Sequence, residues 1–320
     1  MKKFVRFCVT IILVLVIVGA ILVGIGIYTV GWDEVANLAE EISDGKINLK
    51  DGVHIEGESF SKIGEILEKN AIYNIKDSTM FDKNQEMWNK DVKKTKVTEA
   101  SVKDLNLEIG GCLFQLKQSE DTAYYVEYKG DGKSQAYVKG DELFVKVMNT
   151  NNIDFTEKEN CFTLYVPEDV LFDEAVVQLG AGKMQLGNLQ AQKMKIELGA
   201  GQILAKDFEV SDVEIGVGAG DIELEEAKLG EVKIEVGAGN CKIQGSISED
   251  VEAECAMGNI TLKINGNEED FDYELECVSG NLKVGDMEYS GLAKETEVDN
   301  AADKKLDLKC VMGNIEVTFE

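Results

Sequence analysis

LGAG (179–182), LGAG (198–201), VGAG (217–220), VGAG (236–239), CAMG (255–258), CVSG (277–280) and CVMG (310–313) recur down the second half of the chain. Their last glycines are Gly182, Gly201, Gly220, Gly239, Gly258, Gly280 and Gly313, with spacings of 19, 19, 19, 19, 22 and 33 residues. Such a regular short period marks a solenoid, in which one coil cannot bury its own apolar face and must stack on a neighbour.

Counting outward from each final glycine gives the inward face. The residues 7, 5 and 3 before it and 2 and 4 after it form one set: Val213, Ile215, Val217, Ile222 and Leu224 around Gly220, for example. Over the seven cassettes all 35 such positions are apolar, counting Tyr273. Between them stand mostly Lys, Glu, Gln, Asn or Asp. This period-2 alternation describes two half-buried strands per cassette, joined at a small G-A-G corner where glycine permits positive φ. A 19-residue step then places Val217 over Leu198 and Val236 over Val217, in parallel ladders about 4.8 Å apart. A weaker third side follows with Leu189, Phe208 and Ala227. The expected fold is all-β: a parallel β-solenoid of 19-residue coils, preceded by one N-terminal transmembrane helix. Because the 22- and 33-residue intervals keep the register at either end, their surplus reads as a loop, chiefly within 285–305.

Other readings of the glycines fail on chemistry. A calcium roll needs a carboxylate in most turns, but the residue after the glycine is Asp only at Asp221. Elsewhere it is Lys183, Gln202, Asn240, Asn259, Asn281 and Asn314. A phosphate loop needs G-x-G-x-x-G opening a helix, and strands follow here. The four asparagines read as a side-chain ladder at the corner.

Residues 7–30 (FCVTIILVLVIVGAILVGIGIYTV) carry no charge over 24 residues, about 36 Å as a helix against a hydrocarbon core of about 30 Å. The run is too long for a signal-peptide core and lacks a small-x-small cleavage site, so it reads as an uncleaved anchor in the bilayer. Lys2, Lys3 and Arg6 place residues 1–6 in the cytoplasm, which puts the rest of the chain outside a single-pass cell membrane protein. Residues 31–96 read as a juxtamembrane segment: a short helix after Asp33, a hairpin around His54, a second helix at 63–67 and a polar spacer over 76–96. From Val97 the strand pattern begins, with capping strands over 97–170 and regular coils over 171–320.

Seven cysteines are present. Cys241, Cys255, Cys277 and Cys310 fall at inward positions and read as small buried hydrophobes; in chain order Cys255 and Cys277 fall one coil apart, which leaves a bridge between them open. There is no C-x-x-C pair and one histidine, so no zinc site is expected, nor any other metal or cofactor. The net charge is −27, reaching about −30 beyond the anchor, where no arginine occurs. Such a surface repels nucleic acid and leaves a diffuse cation or basic partner as its functional counterpart. No residues combine into a catalytic set, so an enzyme is not expected.

An N-terminal anchor, an opening L-x-L-x-I-G-G strand (105–111), a V-P-E segment (166–168) and repeated GAG-[DNKQ]-[IMC] corners together resemble the bacterial DUF4097 family, β-strand-repeat proteins labelled as candidate adhesins. The resemblance covers 97–320. It implies a β-solenoid displayed at a cell envelope that binds a surface polymer or protein. A second reading is an envelope-stress or signalling accessory that needs a partner membrane protein, because a six-residue tail is too small to signal alone. A third is a β-helix polysaccharide-degrading enzyme, for which these coils lack aromatic platforms.

Overall fold

The computed structural model describes residues 81–149, 159–290 and 294–320. Regular structure there is β-strand apart from one short 3₁₀ turn, Glu268–Asp270. The expected membrane span, both short helices, the His54 hairpin and Cys8 lie outside the described residues.

One coil shows how alternation becomes architecture. Val213, Ile215 and Val217 point inward from the strand Glu209–Val217. The chain turns at 218–220 and sends Ile222 and Leu224 inward from a second side. Glu226, at φ 53°, turns a second corner, and Ala227 and Leu229 close a third side. The next coil repeats this arrangement, parallel and in register: Val217 pairs with Leu198 on one side and Val236 on the other. All 35 inward positions are buried, none more than 3% exposed. Leu189, Phe208 and Ala227 are buried along the third side.

The corner glycines are there for a different reason from the one expected. Positive φ occurs at Gly182 (136°) and Gly201 (114°), but not at Gly220, Gly239, Gly258, Gly280 or Gly313. Instead the hydrogen-bond ladder continues around the bend: Gly218 N–H donates to the Leu198 carbonyl and Gly237 N–H to that of Val217, both at 2.8 Å. The corners therefore stack at sheet spacing, and a Cβ has no room. One added at Gly220 would meet the Gly201 oxygen at 2.7 Å, and one at Gly239 would collide with the Gly220 oxygen. The second corner does need left-handed backbone. Asn188, Asp207 and Glu226 adopt φ of 51°, 54° and 53° at equivalent positions of successive coils, a row without glycine that the glycine pattern did not mark.

The middle of the stack follows chain order, from 171–187 through 190–206, 209–225 and 228–247 to 251–264. Both ends depart from it. At the C-terminal end Lys304–Cys310 lies between Val251–Cys255 and Phe271–Cys277. Asn314–Phe319 likewise lies between Asn259–Ile264 and Asn281–Val284. The surplus within 285–305 is not a loop thrown outward: Met287–Ser290 and Lys294–Val298 fold back antiparallel on the 271–284 coil and cover its edge.

The N-terminal end repeats this plan. Asp104–Gly110 and Cys112–Gln118 sit between the 171–187 coil and strands Glu142–Met148 and Cys161–Val166. Antiparallel strands Lys133–Lys139 and Tyr124–Lys129 cover that end. The cassette at 104–118 is thus second in space rather than terminal. Strand structure starts at Val92, ahead of the expected Val97, because Val92–Thr98 adds antiparallel to Tyr124–Lys129. Its KKTK run is solvent-exposed, so no apolar alternation announces it. The described part of the expected spacer is also held: Trp88 and Ser134 exchange backbone hydrogen bonds, and the buried Gln135 side chain binds the backbone of Asp82 and Gln85. Among the described residues antiparallel strands cover both end coils, which is how repeat stacks avoid end-to-end association.

Candidate binding faces

Parallel register converts each outward position into a row running along the stack. On the side preceding the glycine corner, one row reads Val176, Lys195, Glu214, Lys233, Glu252, Asp307, Glu274, Glu297. Its centre alternates in sign. Lys195 lies 3.0 Å from Glu197 and 3.7 Å from Glu214, and Lys233 lies 3.8 Å from Glu235 and 3.6 Å from Glu252. The pairs with Glu214 and Glu252 are exposed and worth at most about 1 kcal/mol each, whereas Glu197 and Glu235 are partly buried.

Toward the C-terminal end the alternation breaks down. Glu274 faces Glu297 and Glu276 faces Glu295 directly across the antiparallel pair. Like charges so placed oppose folding; Lys305 offsets this by pairing with Glu274 and holding its carboxyl below the usual range. Residues 88–149 hold ten acidic and ten basic residues, whereas 251–320 hold 17 acidic residues and six lysines. The two ends therefore differ in charge, and the C-terminal one is acidic.

On the side following the corner, the asparagines form one polarised chain. Asn281 donates to Asn314 (3.0 Å), Asn314 to Asn259 (2.7 Å), Asn259 to Asn240 (2.6 Å), and Asn240 to the Asp221 carboxylate (2.6 Å). A carboxylate accepts and does not donate, so Asp221 ends the relay. Nearby, Gln115 donates to Gln185 at 2.8 Å, and Lys242 pairs with Glu223 at 2.5 Å. Gln115, Lys117, Gln185, Leu204, Lys206 and Glu223 line an open, shallow groove of about 360 Å³.

Inside the corner, Cys255, Cys310 and Cys277 occupy successive coils. Cys255 and Cys277 are therefore two coils apart rather than one, because the 304–319 coil separates them. Their thiols donate to the carbonyls of Gly258, Gly313 and Gly280 at 3.1, 3.0 and 3.2 Å. The six described cysteines are buried, and none of them is in a disulfide. Burial pushes the Cys241 thiol up to about 12, which makes it inert as a nucleophile. Among the described residues no group of three or more His, Cys, Asp or Glu side chains is arranged to hold a metal ion. The seven corner glycines carry no side-chain chemistry; they allow the stacking that aligns the rows.

No curated protein matches the chain. It is similar to the solved structure of a candidate cell adhesion protein from Clostridium sporogenes, at 14% identity over 74% of this chain and 100% of that one, with a TM-score of 0.29. A candidate adhesin from Bacteroides fragilis is similar at 13% identity, covering 72% and 97% of the two chains, with a TM-score of 0.32. Neither likeness bears on function. The Toastrack DUF4097 family model matches residues 102–284 and again 172–318. These two windows span the coils and both intercalated ends, over more than half of the sequence, and the chain belongs to the Toastrack DUF4097 family.

Proposed function

We propose that this protein is a membrane-anchored, extracytoplasmic binding module whose flat faces dock a polymer or a partner protein, in the manner of an adhesin, without catalysing a reaction. The arrangement of outward side chains carries this reading. They run in rows at the strand repeat of about 4.8 Å and pair along the stack, whereas catalysis needs a nucleophile, a base and an oxyanion site converging on one point. Anchoring rests on the uncharged 7–30 run, and orientation on Lys2, Lys3 and Arg6. The acidic C-terminal end favours a partner that presents positive charge.

Capture on intact cell envelopes tests this. Cells producing the full chain should retain an envelope glycan, matrix polymer or basic surface protein. The double substitution Glu252→Gln with Glu274→Gln removes both charges but keeps hydrogen-bond acceptors for Lys233 and Lys305; it should weaken that retention with only a small change in melting temperature. A single membrane regulator co-purifying with both forms would favour the signalling accessory instead. Turnover of an acidic polysaccharide by the protein would contradict the non-enzymatic reading.

A further inference from the structure

The coil formed by Lys304–Cys310 and Asn314–Phe319 is fully enclosed between neighbours that come earlier in the chain. Its preceding strand, Lys294–Val298, lies on the far side of Phe271–Cys277. The link between them, 299–303, must therefore cross one whole coil within that short span. It is held to the strand that it crosses, with one residue in a costly conformation. Asp272 Oδ1 accepts from Asn300 N–H (2.8 Å) and Ala302 N–H (3.2 Å), Asn300 Nδ2 donates to the Phe271 carbonyl (2.7 Å), and Ala301 sits at φ 56°. Left-handed backbone is costly for alanine, and short hinges under strain favour exchange of the element they tether.

We propose that the 304–319 coil is exchanged between two copies of this chain, each copy's coil filling the slot between 251–264 and 271–284 of the other. Leu306, Leu308, Cys310, Ile315 and Val317 are all buried in that slot. Without them both flanking coils would expose their inward ladders, so the slot is incomplete unless a coil of this sequence occupies it. A second copy supplies the identical strands, in the identical register, against the identical neighbours. The hinge alone changes, from a crossing to an extended link, and reciprocal exchange closes as a two-fold dimer. Its population rises with concentration by mass action.

The cysteine row reports the exchange. Two full-length variants are made, one retaining only Cys255 and one retaining only Cys310, with their other cysteines replaced by alanine. They are mixed at high concentration in mild detergent and treated with a diazene oxidant. Two thiols then become one disulfide, and their two hydrogens pass to the N=N bond. The expected product is a disulfide-linked dimer on a denaturing gel, formed by the mixture and by neither variant alone. No linked dimer from the mixture, while a variant holding both thiols closes its internal bond, would overturn the proposal. A hinge variant gives a second reading. Deletion of Ala301 and Ala302 should raise the dimer fraction measured by light scattering, and a folded monomer from that deletion would also overturn it.

Discussion

The middle of the stack and its two ends are built from the same cassette but obey different rules. Between 171 and 264 each coil pairs with the coils next to it in sequence. At the ends the register is the same and the order is not: 104–118 and 304–319 each insert between two coils that follow each other in the chain. The comparison separates two kinds of information. Self-similar strands determine how any two coils align, because a one-residue slip would turn every inward side chain outward. They cannot determine which two coils meet. That choice falls to the parts that do not repeat, namely the antiparallel covers and the crossings at 119–123 and 299–303.

Corner substitution is expected to have the largest effect and to strike the middle. Gly239→Val forces a branched side chain against the Gly220 carbonyl and within 2.7 Å of Val217 Cγ1. A loss of about 3 kcal/mol or more is expected in urea unfolding; unchanged stability would show that the corners are not close-stacked. Next comes a cavity at the end. Leu308→Ala removes a fully buried side chain and should cost about 2–5 kcal/mol. Because coils interact chiefly with neighbours, hydrogen exchange should accelerate across 251–319 and stay slow over 190–236. Uniform acceleration would mean that ends and middle unfold as one.

Alkaline pH sharpens the same comparison through side chains at each position. Burial pushes the mid-stack Cys241 thiol up to about 12, and burial at the N-terminal end likewise raises the Tyr128 phenol to about 12. Both groups are neutral in the fold and ionise earlier in the unfolded chain, near 8.5 for cysteine and 10 for tyrosine. Stability from them is therefore complete below pH 8 and is lost as pH rises toward 12. The melting temperature should fall across that window. In Cys241→Ala the fall between pH 8 and 10 should be shallower but persist, because burial also raises the Cys112 thiol, and a pH-independent melt would contradict these assignments. The smallest effect is expected from Asn259→Ala, which interrupts the amide relay at two bonds. Surface exposure limits the loss to about 1 kcal/mol, measurable as a small shift in melting temperature.

Much of this was legible in the residues themselves. Alternation around each glycine identified the inward set, and the residue after the glycine identified the amide ladder. The left-handed corner was not legible, since Asn188, Asp207 and Glu226 share position but not residue type. The strand Val92–Thr98 was hidden because an exposed edge strand buries almost nothing and needs no alternation. The intercalated order was hidden for a deeper reason. Cys255, Cys277 and Cys310 occupy equivalent cassette positions, so any of the three coils fits against either of the others. The two longest intervals between cassettes signalled an irregularity without indicating that the strands between them would fold back as a cover. The candidate faces emerged only with the stacking order, because rows such as Glu252, Asp307, Glu274 and Glu297 are not sequential.

The central claim is that the 304–319 coil separates the 251–264 and 271–284 coils. Mild oxidation of the native protein, followed by mass-spectrometric mapping of disulfide-linked peptides, tests it directly, since neighbouring coils bring Cα atoms within the range a disulfide spans. Cys255–Cys310 and Cys310–Cys277 links, with no Cys255–Cys277 link, are the predicted result. A Cys255–Cys277 link as the main product would contradict it.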